Sequence, residues 1–74
     1  MIMYADGTEA RVGDDVDYDG ESSIVYAVLD SAEECAEWGL TDRGLMFKNG
    51  AFGLVFEAVE SSTWESVVFL RRGA

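Results

Sequence analysis

The one stretch whose residue types and spacing match a known chemistry is Asp15, Asp17, Asp19 and Gly20. Alternate carboxylates followed by glycine form the first half of a calcium loop of the EF-hand type. The second half is missing. The bidentate glutamate that anchors such a loop falls on Tyr26, the apolar position falls on Ser22, and the flanks read as strand rather than helix. An EF-hand is therefore excluded, and at most a weak surface cation site is left at Asp15, Asp17 and Asp19. Other chemistry is scarcer still. The chain has no histidine, which removes the commonest general base, the Ser–His and Cys–His pairs and most zinc sites. Its single cysteine, Cys35, cannot form an internal disulfide and reads as a small buried apolar residue. Only carboxylates, tyrosines, lysine and arginines remain for catalysis, so a non-enzyme without metal or cofactor is expected.

What the carboxylates do supply is a field. The net charge is −10 over 74 residues, and it is uneven. Residues 1–37 hold eleven acids against the single base Arg11, whereas residues 38–74 balance four acids with Arg43, Lys48, Arg71 and Arg72. A negative field repels phosphate backbones and attracts basic surfaces. It argues against nucleic acid or an anionic membrane as partner. It favours a basic protein surface, or else confers solubility alone. No apolar stretch approaches the roughly 18 residues of a membrane span. The start, Met1 to Asp6, lacks the basic region of a signal peptide, so a cytoplasmic protein is expected.

Short strands must carry these side chains. Ile2 and Tyr4 alternate as a first short strand, and Asp6-Gly7 and Val12-Gly13-Asp14 read as turns. From Asp14 the period is two: Val16 and Tyr18 point to a core, and Asp15, Asp17 and Asp19 point to water. Asp19-Gly20 turns the chain into a strand from Ser23 to Leu29 that is apolar on both faces, Ile24, Tyr26 and Val28 against Val25, Ala27 and Leu29. Such a run predicts a central strand buried or covered on both sides. Between Asp30 and Gly39 lies the one plausible helix, with a capping box at Ser31 and Glu34 and a glycine stop; a loop is the alternative. Its acids are Glu33, Glu34 and Glu37, and Ala32, Cys35, Ala36 and Trp38 give it an apolar side. Trp38 is either a lid on the core or an exposed anchor. Two further strands, Leu45 to Lys48 and Phe52 to Phe56, meet at Asn49-Gly50, which predicts a type I′ turn, and Gly53 suggests a bulge or a bend. A single 3₁₀-like turn fits at Ser62 to Glu65. Ser66 to Arg71 is the last strand, after which Arg71-Arg72 could pair with the acidic half.

Seventy-four residues make one domain, and a chain of this length buries only about 60% of its unfolded surface. The pattern predicts a mainly β domain spanning residues 1–74. The expected form is a small SH3-like barrel of five or six antiparallel strands with one short helix or helical turn; an open antiparallel sheet with one helix is the alternative.

The run from Ala5 to Val16, of the form D-G-T-x-x-x-V-G-D-x-V, resembles the opening of many small SH3-like barrel proteins. Glu37-Trp38-Gly39, Gly44 to Phe47 and Gly53-Leu54-Val55 are similar to a group of bacterial proteins with this barrel. Members encoded beside secreted polymorphic toxins serve as immunity proteins. The resemblance implies a cytoplasmic, non-catalytic binder that occludes the basic cleft of a cognate toxin of nuclease, deaminase or ADP-ribosyltransferase type. An acidic adaptor or regulatory barrel is the other reading. The candidate partner-binding charges are Asp14, Asp15, Asp17, Asp19 and Glu21, with Glu33, Glu34 and Glu37. The candidate anchors are Tyr18 and Trp38, since charge mainly sets the on-rate and buried aromatics set tightness.

Overall fold

In the computed structural model, which describes residues 1–73, Asp19 and Gly20 both hold positive φ, 51° and 86°. That pair makes the two-residue turn whose twist matches an antiparallel hairpin. It joins β1 (Asp15–Tyr18) to β2 (Glu21–Leu29), with Tyr18 opposite Glu21 and Asp15 opposite Ile24. After α1 (Ala32–Glu37), β3 (Gly44–Asn49) pairs with β2, and β4 (Gly53–Ala58) pairs with β3. A 3₁₀ turn, Trp64–Ser66, then delivers β5 (Val67–Arg71) to the free side of β1. The sheet order is β4-β3-β2-β1-β5, all antiparallel. A four-stranded meander with the last strand returned to the first through a 3₁₀ turn is the connectivity of an SH3-like barrel.

The core follows the period of two. Val16 is buried and Asp15 is not; Val67 is buried while Val68 and Leu70 stay exposed. Ile2 and Tyr4 are buried under the barrel, but their segment makes only an isolated bridge, Met3 to Glu9, and not a strand. β2 bends at a bulge, since Val25 faces Phe47 and Ala27 faces Met46, leaving Tyr26 unpaired. The bend divides the core. One cluster is built on Ile2, Tyr4, Val16, Val25, Leu45, Phe47 and Val67; the other joins Leu29, Cys35 and Met46 under the helix.

α1 begins as its capping box dictates: the Ser31 hydroxyl accepts from the Glu34 N–H at 3.1 Å, and the Glu34 carboxylate accepts from the Ser31 N–H at 3.0 Å. It ends in a Schellman motif, with Gly39 at φ 71° and N–H bonds from Gly39 to Ala36 O and Leu40 to Cys35 O. Only Cys35 is buried from the expected apolar side; Ala32 and Ala36 face solvent.

Three expectations fail. β2 is not buried on both faces: Ile24 and Tyr26 are half exposed, because neither loop nor helix covers the outer side there. Asn49-Gly50 is not a type I′ turn. The Asn49 side chain accepts the N–H groups of Ala51 and Phe52 at 3.0 and 2.6 Å, and the positive φ falls on Gly53. Gly53 therefore closes the loop and makes no bulge, since β3 and β4 stay in register from Gly44 to Asn49.

Candidate functional site

The carboxylates fall into two populations, and burial divides them. Asp14 is fully buried. By the period of two it lies on the same side as Val16 and Tyr18, which places its charge in the interior. There its Oδ2 accepts from the Tyr4 hydroxyl at 2.6 Å and the Arg11 N–H at 2.9 Å, and Arg72 Nη1 donates to Oδ1 and Oδ2 at 3.0 and 2.9 Å. The same Arg72 nitrogen donates to Glu9 O, and its guanidinium lies 5.3 Å over the Phe69 ring. Burial, with Asp14 beside it, pushes the Tyr4 hydroxyl far above its ordinary pKa. Asp14 is thus a staple between the N-terminal segment and Arg72, the residue that follows β5 (Val67–Arg71). It is not a partner-binding charge.

Asp15 is also engaged, accepting from Arg71 Nε at 2.6 Å. Asp17 caps the hairpin by accepting the Gly20 N–H at 3.2 Å and stays partly open. Asp19 and Glu21 are exposed at the turn, and neither has an ion-pair partner among the described residues. Because Asp15 and Asp17 are turned to separate neighbours, Asp15, Asp17 and Asp19 do not converge on a common point. Among the described residues no cluster of three metal-ligating side chains forms elsewhere either. Glu33, Glu34 and Glu37 are exposed on α1, with Glu34 tied into the cap.

Tyr18 is not an exposed anchor. Its ring stacks on Phe47 at 5.1 Å, and its hydroxyl donates to Glu57 Oε1 at 2.8 Å. Burial first, then Glu57, pushes its pKa up to about 12. Glu57, which the sequence did not single out, is the second buried acid. Burial works to raise its pKa, but the hydroxyls of Ser61, Thr63 and Tyr18 outweigh that and hold it below the usual range. The available signal was parity, since Glu57 alternates in phase with Val55. Trp38, at the C-terminal cap of α1, is exposed and meets the Tyr26 ring edge-on at 6.1 Å.

Opposite the larger core cluster, the part of the sheet face that α1 does not cover is bare. One row across it runs Arg71, Asp15, Ile24, Lys48, Leu54. A shallow hollow of about 670 Å³ lies there, with Ile24, Lys48, Leu70 and the Asp15–Arg71 pair in its wall. Ile24, Tyr26, Trp38, Leu54 and Leu70 are all between 39% and 54% exposed. Sequence reasoning missed this face because a doubly apolar strand looks the same whether its second side is covered or bare.

Eleven of the fifteen acids lack an ion-pair partner among the described residues, and ten of these lie at the surface. Arg11, Arg43, Arg71 and Arg72 each pair with a carboxylate of the chain itself, leaving Lys48 without an ion-pair partner among the described residues. Compared with models of known families, with characterised proteins and with solved structures, the chain matches none.

Proposed function

We propose that this domain is a non-catalytic binder that occupies a basic surface on a partner protein, in the manner of an immunity protein blocking the active cleft of a cognate toxin. The observation that carries the reading is the imbalance of free charge: among the described residues, ten surface carboxylates without an ion pair stand against Lys48. Such a surface attracts cationic clefts, accelerates encounter at low ionic strength and repels phosphate backbones and anionic lipid. The two strongest internal perturbations of titration, at Tyr4 and Tyr18, belong to satisfied hydrogen-bond networks that hold the barrel together. Both are staples, which supports a binding role over a chemical one. The toxin-blocking form of the reading comes from the resemblance of Ala5 to Val16 and of the later motifs to immunity barrels. The reading places the protein in the cytoplasm, where such a partner would be neutralised; among the described residues no helix is long and apolar enough to cross a membrane.

The test is co-expression with the product of the adjacent reading frame, followed by pull-down and a toxicity assay. A complex that forms and rescues growth supports the immunity form. A complex with a basic non-toxic protein supports the adaptor form instead. Binding that is insensitive to salt between about 0.05 and 0.5 M would contradict the electrostatic basis of both.

A further inference from the structure

The charge says what kind of partner fits but not where it sits. We infer that the open face of the sheet, centred on Ile24, Tyr26 and Trp38, seats an apolar segment of the basic partner, while the acidic hairpin turn only steers it. The inference rests on the acidic-binder reading and adds a surface to it.

The face is continuous by register. Ile24 has Asp15 on one side and Lys48 on the other, with Leu54 beyond Lys48. Further along β2, Tyr26 stands at the bulge and its ring meets Trp38, which carries the apolar surface onto the end of α1. Exposed apolar residues scattered singly are ordinary, whereas adjoining large ones mark a contact surface. Trp and Tyr are also the residue types that most often dominate binding energy at the centre of an interface.

Charge selects the occupant. Asp15 is neutralised by Arg71, so the free carboxylates near the apolar residues are Asp17, two positions along β1 from Asp15, and Glu33 and Glu37 on the helix that leads into Trp38. A second copy of the chain would bring these same carboxylates together. A segment with apolar residues in its middle and Lys or Arg at its ends satisfies both features. Lys48 lies inside the row, is exposed and has no ion-pair partner among the described residues, so it offers one donor to an acceptor of that segment and fixes its register.

The test uses the full chain as bait for a random peptide library displayed on phage, with enriched peptides then synthesised and titrated. The expected peptides carry adjoining apolar residues flanked by Lys or Arg. Tyr26→Ser with Trp38→Ser should weaken them by about tenfold or more. Asp19→Asn with Glu21→Gln should change affinity by less than about threefold at about 0.15 M salt, where exposed charges are screened. Tyr26 and Trp38 are 50% and 39% exposed and contact each other, so the double variant should lose some thermal stability, and binding is measured well below its midpoint. Ile24→Thr, a strand-compatible change on the same face, is the second variant and should also weaken binding. Basic peptides that ignore the Tyr26, Trp38 and Ile24 variants but need Asp19 and Glu21 overturn the surface assignment and leave the acidic-binder reading standing. Peptides without a basic excess overturn both. Failure to enrich any peptide overturns this inference alone, since the co-expression test addresses the other. A dimer in sedimentation that dissolves in the Tyr26/Trp38 variant assigns the face to a second copy and overturns it too.

Discussion

Replacing Arg72 by alanine should destabilise the domain by about 2–3 kcal/mol, although Arg72 is the last charged residue of the chain. The magnitude follows from what the change leaves behind. Asp14 is fully buried, and Arg72 is the partner that reaches both of its oxygens. Removing it strands Oδ1 and leaves the charge with only the Tyr4 hydroxyl and the Arg11 N–H, both on Oδ2. Breaking a fully buried pair costs about 3–5 kcal/mol. The Arg72 side chain is itself 39% exposed, so water can enter where it leaves, which brings the figure down. A domain of this length has only about 4–11 kcal/mol in total, so the midpoint should fall by about 8–24 °C at about 4–8 °C per kcal/mol. Asp14→Ala should cost a similar amount by orphaning Tyr4 and the Arg11 N–H. The double variant should show a coupling of about 1 kcal/mol or more. Urea unfolding followed by tryptophan fluorescence measures all three, with the m-value as the check on compactness. A loss below about 0.5 kcal/mol for Arg72→Ala, or strict additivity with Asp14→Ala, would refute the staple. Asp19→Asn, on the open turn, should stay within about ±0.5 kcal/mol in the same assay.

Further predictions concern the second network, the strand packing and the free charge. The folded pKa of Glu57 is depressed, so its contribution is present above the unfolded value of about 4.3 and is lost as pH falls through the lower folded value; Glu57→Gln should flatten that acid limb of unfolding free energy against pH. The folded pKa of Tyr18 is raised to about 12, so its contribution is present below the unfolded value of about 10 and is lost as pH rises through about 12. Tyr18→Phe should remove one tyrosine from the alkaline absorbance titration near pH 12. At Gly44 an added Cβ would lie 2.2 Å from the Glu57 carbonyl oxygen and 2.8 Å from the Phe56 ring, so Gly44→Ala should cost at least about 2 kcal/mol in thermal or urea unfolding. Neutralising Asp17, Asp19 and Glu21 together should slow association with a basic partner by about tenfold at low salt, and the difference should vanish near 1 M, a contrast read by stopped-flow fluorescence.

Most of what was set within a few residues was legible in the sequence. The Asp19-Gly20 turn, the Ser31–Glu34 box and the glycine stop at Gly39 are local hydrogen-bond and φ requirements, and each stands where the residues put it. Alternation also carried through β1 and β5. One loss was local and the others came from tertiary context. Asn49-Gly50 reads as a two-residue turn, yet the Asn49 carbonyl caps the loop and the turn lengthens to reach Gly53. Asp14 was grouped with the surface acids by composition, although its parity with Val16 pointed inward; the partner that makes this tolerable, Arg72, lies 58 residues away in sequence. Tyr18 was expected as an anchor by residue type, and its ring is spent on Phe47. Ile24 and Tyr26 read as core because periodicity cannot tell a covered face from a bare one.

The distribution of cations bears on specificity. Each arginine is held by an acid of its own chain, two of them on β1 and the loop before it, so the internal pairs cancel close to the barrel. What projects outward is carboxylate, at the hairpin turn, along α1 and at Asp6, Asp42, Glu60 and Glu65, with Lys48 the one cation unpaired among the described residues. A field of nearly uniform sign attracts any cationic surface and distinguishes poorly among them; charge of this kind governs the rate of encounter more than the choice of partner. Discrimination then needs features with shape. The surface that offers shape is the bare side of the sheet, where the β2 bulge turns Tyr26 toward Trp38 and a lone ammonium stands between Ile24 and Leu54. On this argument the bulge, a one-residue irregularity in the longest strand, links the fold to partner choice: it divides the core into two clusters, and it leaves an aromatic side chain outside both.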